Sequence, residues 1–283
     1  MTTGRPSGSA DAVESAAAAF VQARWAGRAL PGFPGTPPAD LAGGYAIQDR
    51  AIGLWPDRVA GWKVGYISPD RRDGSGDDRV VGPIFAAEVW PQPPGGTRDV
   101  PVFVGGFAAV EAEFVFRLAA DAPADRVQWS ARDALALVAA LHIGIETAGS
   151  PLATINVLGP TVVVSDFGNN AGLVLGPEIP GWRELPEAGL VCETFIEGVS
   201  VGRGGAASVP GGLGEALAFA LARCARRGHP LKAGDLVTTG AATGIHDILA
   251  GQQALIRFGA WGELRCRAVA ATARTPSLPG SPP

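Results

Sequence analysis

Val110-Glu111-Ala112-Glu113-Phe114-Val115-Phe116 alternates two chemistries residue by residue. Side chains of a β-strand alternate faces, so Val110, Ala112, Phe114 and Phe116 share an apolar face. Glu111 and Glu113 share the other. A helix would scatter both sets, so the stretch reads as a strand within Ala108–Leu118. At a rise of ~3.3 Å per residue the two glutamates stand about 7 Å apart along the backbone, close enough for their oxygens to converge on one cation. Like charges at that spacing repel unless a cation or a proton intervenes. The other reading is the wet face of a half-exposed sheet, and the pattern alone leaves both open.

Working outward, further strands are expected at Gly61–Ile67, Thr161–Val164, Gly172–Leu175, Val191–Ile196, Asp235–Thr239, Ala254–Phe258 and Glu263–Ala268. Helices are expected at Ala10–Leu30, at Asp40–Leu54 with Asp40 as N-cap, at Ser130–Leu141 and at Leu213–Arg227. This is an α+β chain, β-rich, with an N-terminal helical segment. The organisation expected is a disordered N-terminus over 1–9, a helical cap over 10–60, a β-rich catalytic domain over 61–272 and a disordered tail over 273–283. The charged, Gly-containing segment Pro69–Arg79 reads as a mobile surface loop or lid.

The chain has 283 residues, 47% hydrophobic and 18% charged, enough for a sizeable core. Its net charge of −4 argues against a nucleic-acid partner. No apolar run is long enough to span a membrane, and the N-terminal apolar stretch is too short and too acidic-flanked for a signal peptide. Cys192, Cys224 and Cys266 show neither CxxC nor zinc spacing, which fits reduced, buried thiols in cytoplasm.

Three more segments carry candidate chemistry. Glu146 ends the apolar run Leu141-His142-Ile143-Gly144-Ile145, as a third carboxylate ligand or as the polar end of a strand. Three carboxylates make an all-oxygen set that suits Mg²⁺ or Mn²⁺ rather than zinc. Lys63 lies within Gly61-Trp62-Lys63-Val64-Gly65, and only two of the 23 basic residues are lysines. In that apolar setting it either snorkels or serves a substrate, pairing a carboxylate or moving a proton. The turn Thr239–Gly244 after a strand presents successive N–H groups that can hold an anion. Of the histidines, His246 reads as a loop residue or an acid–base group, His142 as half-buried, and His229 as a contact at a helix end.

Several segments together resemble the fumarylacetoacetate hydrolase superfamily. They are Tyr45-Ala46-Ile47-Gln48, Gly61–Gly65, Gly82-Pro83-Ile84-Phe85, Val110–Glu113, Ile145-Glu146, Asn170-Ala171-Gly172 and Gly228–Gly240. The branch they are most similar to is that of 2-oxopent-4-enoate (2-hydroxypenta-2,4-dienoate) hydratases and 4-oxalocrotonate decarboxylases. The resemblance spans about residues 40–270. It implies a mixed β-roll with Mg²⁺ or Mn²⁺ held by Glu111, Glu113 and Glu146, and Lys63 as the catalytic residue. It further implies substrate contacts from Gly65, Ile84, Phe85, Asn170, Thr239 and Gly240, and a homo-oligomer acting on a small 2-oxo acid. The implied activity is a hydratase working through a metal-bound enolate. The alternatives are a decarboxylase or C–C bond hydrolase on the same platform, or a non-catalytic partner subunit. Val80 departs from the pattern, since hydratases carry an acidic residue there. So do Ser150-Pro151, where Arg often follows the third ligand, and Leu213-Gly214, in place of a His-Pro pair.

Overall fold

The computed structural model describes residues 7–93 and 95–274, with side chains from residue 10. In chain order the elements are α1 (Ser7–Trp25), α2 (Leu41–Leu54), β1 (Val59–Tyr66), β2 (Arg79–Phe85), β3 (Val89–Pro91), β4 (Arg98–Val102) and β5 (Phe107–Leu118). There follow α3 (Ala131–Leu135), β6 (Val138–Ser150), α4 (Ile155–Leu158), α5 (Pro160–Ser165), β7 (Asn170–Glu178), β8 (Val191–Ile196) and β9 (Val199–Gly205). The chain closes with α6 (Leu213–Arg226), β10 (Leu236–Thr238), β11 (His246–Asp247), β12 (Gln253–Arg257) and β13 (Glu263–Ala270).

These strands form two mixed sheets, which is the β-rich α+β architecture expected. The larger has the order β2-β1-β10-β5-β6-β7-β3, with β11 pairing the open side of β5. The smaller has the order β4-β13-β12-β8-β9. β5 and β6 make the longest ladder, antiparallel from Phe107↔Ser150 to Leu118↔Val138. The apolar face of β5 (Val110, Ala112, Phe114, Phe116) is buried in the main core, and Phe114 meets Phe258, just after β12 of the second sheet, edge-on at 5.7 Å.

Two expected elements are corrected. The Ser130–Leu141 helix is only one turn long. Ser130 caps it by accepting from the Asp133 N–H at 3.1 Å, but from Val138 the chain is claimed by the β5 ladder. The apolar run Leu141–Ile145 suits a buried strand as well as a helix, and tertiary pairing decides. Thr161–Val164 is not a strand but part of α5. Gly159, at φ 108°, turns the chain and Pro160 presets the first helical residue, which overrides the β preference of Thr161 and the valines. β2, unforeseen because Gly82 and Pro83 interrupt its pattern, sits at the sheet edge where proline is tolerated.

Residues 1–6 and 275–283, expected to be disordered, lie outside the described residues; Ser7–Ser9 belong to α1. The N-terminal helices share a core with the sheet. Ala16, Ala17, Ile47, Ala51 and Trp55 pack with Phe85 and Phe167. Within it Trp55 stacks on Phe85 at 5.3 Å and meets Phe167 edge-on at 5.6 Å, pairs worth about 0.5–1.5 kcal/mol each beyond their burial. Among the described residues no helix is long and apolar enough to cross a membrane.

Candidate metal centre and active-site cavity

β10 is three residues long and lies between β1 and β5. Where it ends at Thr238, the flanking strands part and a cavity of about 590 Å³ opens. Lys63 of β1 and Glu111 of β5 line it, with Gly65, Thr239 and Gly240 around them. Register places Glu111 directly opposite Glu146, and one carboxylate oxygen from each of Glu111, Glu113 and Glu146 lies within 4.8 Å of the others.

All three carboxylates are buried, at 3%, 0% and 0% exposure, so the half-exposed reading of this strand face fails. Their hydrogen bonds are divided unevenly. Glu146 accepts from Asn170 Nδ2 at 3.2 Å through Oε1 and from Thr238 Oγ1 at 3.1 Å through Oε2. Glu113 Oε2 accepts from the backbone N–H groups of Thr239 and Gly240, at 2.9 and 2.6 Å. The turn expected to hold an anion therefore holds the protein's own. Glu111 Oε1 and Glu113 Oε1 are buried without any partner. Buried carboxylate oxygens left unpartnered are costly, and two of them in a three-carboxylate cluster are what a divalent cation would satisfy. The donor set these residues could offer a cation is all oxygen, which suits Mg²⁺ or Mn²⁺.

Lys63 Nζ stands 3.2 Å from Glu146 Oε1. Burial alone would drive the proton off this lysine, but Glu146, Glu111 and Glu113 outweigh it and raise its pKa. The three carboxylates thus favour the protonated form of Lys63. Gly61 is required because a Cβ would come 2.2 Å from Leu236 O, so glycine lets β10 pair closely here. A Cβ on Gly65 would stand 3.3 Å from Val80 and 3.5 Å from Lys63 Nζ. Val80 thus forms the apolar wall beside the ammonium.

Burial, opposed by Lys63 and reinforced by Glu146, pushes the Glu111 carboxyl up to about 7. Burial with Glu146 and Glu111 raises Glu113 well above the usual range. A cation needs these groups deprotonated, so proton and metal compete. Mg²⁺ affinity should fall as pH drops through about 7, with proton release on binding. In the metal-free protein, a raised carboxyl binds more protons folded than unfolded, so stability should fall as pH rises from 4.5 towards 7. Melting curves across that range, with and without Mg²⁺, check both signs; a metal-free protein that gains stability with pH there contradicts this reading.

The remaining sequence-predicted residues divide. Ile84 and Phe85 do not line this cavity. They lie at the far end of β2, four and five residues, or ~13–17 Å, beyond Val80. Ile84 packs with Val115, Leu173 and Leu236, and Phe85 packs against the N-terminal helices. Asn170 borders a second cavity and points its amide at Glu146. The strand instead contributes Arg79 and Val80. Arg71, from the segment read as a loop or lid, also lines the cavity, and the residues that sequence reasoning missed are Tyr66, Asn156, Asn169 and Asp247. None belongs to a recognisable motif.

The Pro69–Arg79 segment is partly pinned. Asp73 accepts from Leu41 N–H at 2.7 Å, Asp77 pairs with Arg223, and Arg71 reaches across to Val157 O at 3.0 Å. His246 bonds Thr243 O at 3.0 Å and its pKa is lowered by burial. His142 bonds Gly176 O at 3.1 Å and His229 bonds Asp49 at 3.2 Å. None of the three lines the cavity. The three cysteines are free and buried.

No family model matches the chain. It is 28% identical over 236 residues to a 2-keto-4-pentenoate hydratase of Burkholderia vietnamiensis, covering 82% of this chain and 87% of that one. In fold it is similar to a 4-oxalocrotonate decarboxylase from Pseudomonas putida G7, complexed with magnesium and adipate. The TM-score is 0.75 at 19% identity, over 92% of this chain and 98% of the other. A fumarylpyruvate hydrolase from Pseudomonas aeruginosa, in complex with Mn²⁺ and pyruvate, superposes with a TM-score of 0.52 at 17% identity, over 76% and 91%.

Proposed function

We propose that this chain is an enzyme of the fumarylacetoacetate hydrolase superfamily, on its hydratase and decarboxylase branch, and that it is a Mg²⁺- or Mn²⁺-dependent hydratase of a 2-hydroxy-2,4-dienoate. The observation that carries the reading is the buried triad of Glu111, Glu113 and Glu146, with two unpartnered oxygens and Lys63 beside it, at a cavity that Glu111 and Lys63 line. The named relative that is a hydratase supports it, as do the neighbours holding magnesium and Mn²⁺ with small carboxylates.

The triad would hold the cation, which when bound supplies a Lewis acid to polarise the 2-oxo and carboxylate oxygens of the substrate. The protein's own groups do the rest. Thr239 and Gly240 N–H fix Glu113, while Asn170 and Thr238 fix Glu146. Lys63 holds a proton at Nζ, within reach of a substrate seated over Glu111, and can deliver it to carbon or pair the substrate carboxylate. Val64, Val80, Val163 and Val209 give the cavity apolar wall for a short hydrocarbon tail.

Decarboxylation is the second reading, favoured by Val80. Adding water calls for a second group to activate it, whereas losing CO₂ needs only the stabilised electron pair and one proton donor. A panel of 2-oxo acids and 2-hydroxydienoates, assayed with Mg²⁺ and read by product mass, separates them. A gain of one water supports hydration, loss of CO₂ supports decarboxylation, and no turnover of any member overturns both.

A further inference from the structure

We infer that Arg24, far from the cavity on α1, is a positioning residue for the Glu146 carboxylate and acts through Asn170. The inference rests on the triad being the cation site. Arg24 is buried at 6% exposure, and all three of its guanidinium nitrogens donate hydrogen bonds. Nε donates to Asp166 Oδ1 at 2.5 Å, NH1 to Asn170 O at 2.9 Å, and NH2 to Gly149 O at 2.9 Å and Asp166 O at 3.2 Å. Asp166 is itself held, accepting from Ser150 Oγ at 2.5 Å. Two of the four bonds thus grip main-chain carbonyls flanking the metal strand: Gly149, three residues along β6 from Glu146, and Asn170 at the start of β7.

Those carbonyls need an outside grip. The β6–β7 ladder changes register there, from Thr147↔Gly172 to Ala148↔Asn170, so Ala171 bulges out of the pairing and Asn170 sits at the edge of that irregularity. The entry to β7 is also in the left-handed region over three residues, Phe167 (φ 55°), Gly168 (φ 63°) and Asn169 (φ 54°). Non-glycine residues stay there only when their surroundings over-determine them. Arg24 supplies such surroundings, since its guanidinium also sits 5.0 Å over the Phe167 ring. The Asn170 amide that results lies 3.2 Å from Glu146 Oε1. A planar guanidinium spans three carbonyls and a carboxylate at once, which a lysine ammonium does not do in that geometry.

The alternative is that Arg24 only docks α1. The two are separated by titrating Mn²⁺ into metal-free full-length protein, with melting curves in parallel. Arg24→Met should raise the Mn²⁺ Kd by ~10-fold or more, the scale seen when a partner of a metal ligand is lost. Asn170→Ala should do the same, and the double variant should be no worse than the larger single, because both break one route. Arg24→Lys should remain weakened. Phe20→Ala, which loosens the buried packing of α1 without touching these bonds, should lower the melting temperature but leave Kd as in the parent. Parent-like affinity in folded Arg24→Met, additive losses in the double variant, or an equal loss in Phe20→Ala overturns the inference. If Arg24→Met does not fold, parent-like affinity in Asn170→Ala overturns it. A parent chain that binds no Mn²⁺ overturns the underlying metal reading instead.

Discussion

Replacing Lys63 by alanine should cut turnover by ~10²-fold or more, the scale of a positioned acid–base group. Metal affinity should be kept or improved, since the change removes a cation 3.2 Å from a ligand carboxylate. Lys63→Arg separates the two roles the site allows. Arg restores a charge for pairing but does not give up its proton, so charge pairing would be rescued and proton delivery would not. Bulk also enters, because a Cβ at Gly168 would already come within 3.3 Å of Lys63 Cδ. Single-turnover rates with Mg²⁺ saturating, alongside metal titrations, read all of this. Turnover within a few-fold of the parent in Lys63→Ala would make the residue a structural one.

The second large effect is expected from Glu113→Gln, and it has two signs. The amide oxygen can keep the Thr239 and Gly240 N–H bonds, so the fold has no reason to fail. A neutral amide is a poorer ligand for a hard cation. The Kd for Mg²⁺ or Mn²⁺ should therefore rise by at least ~100-fold, beyond what losing an outer partner costs. Without metal the same variant should melt higher than the parent, because it removes one of three buried carboxylates that repel each other. Parent-like affinity, or a lower melting temperature without metal, contradicts the proposed centre.

Local pattern made part of this legible. Glu111 and Glu113 stood out because alternation on a strand is visible over seven residues, and Lys63 because lysine is scarce in an arginine-rich chain. The turn at Thr239–Gly240 was visible too, although its N–H groups serve Glu113. Other parts are set at long range. Arg24 meets Asp166 and Asn170 from 142 and 146 residues away, and nothing near it in sequence hints at either. Ile84 and Phe85 were misplaced because a strand carries its residues steadily away from a cavity at its start. Ser130–Leu141 and Thr161–Val164 were misread because pairing with β5 and the Gly159-Pro160 turn outrank local preference.

The carboxylate cluster comes from one antiparallel pair, β5 and β6, successive strands joined through α3. Lys63, Val80 and the Thr239–Gly240 turn come from other segments: β1, β2 and the chain just after β10. Inherited variation can therefore strike the two halves separately. A lineage could exchange the residues facing the lysine and change which bond is made or broken, while its ion platform passes unchanged to the descendants.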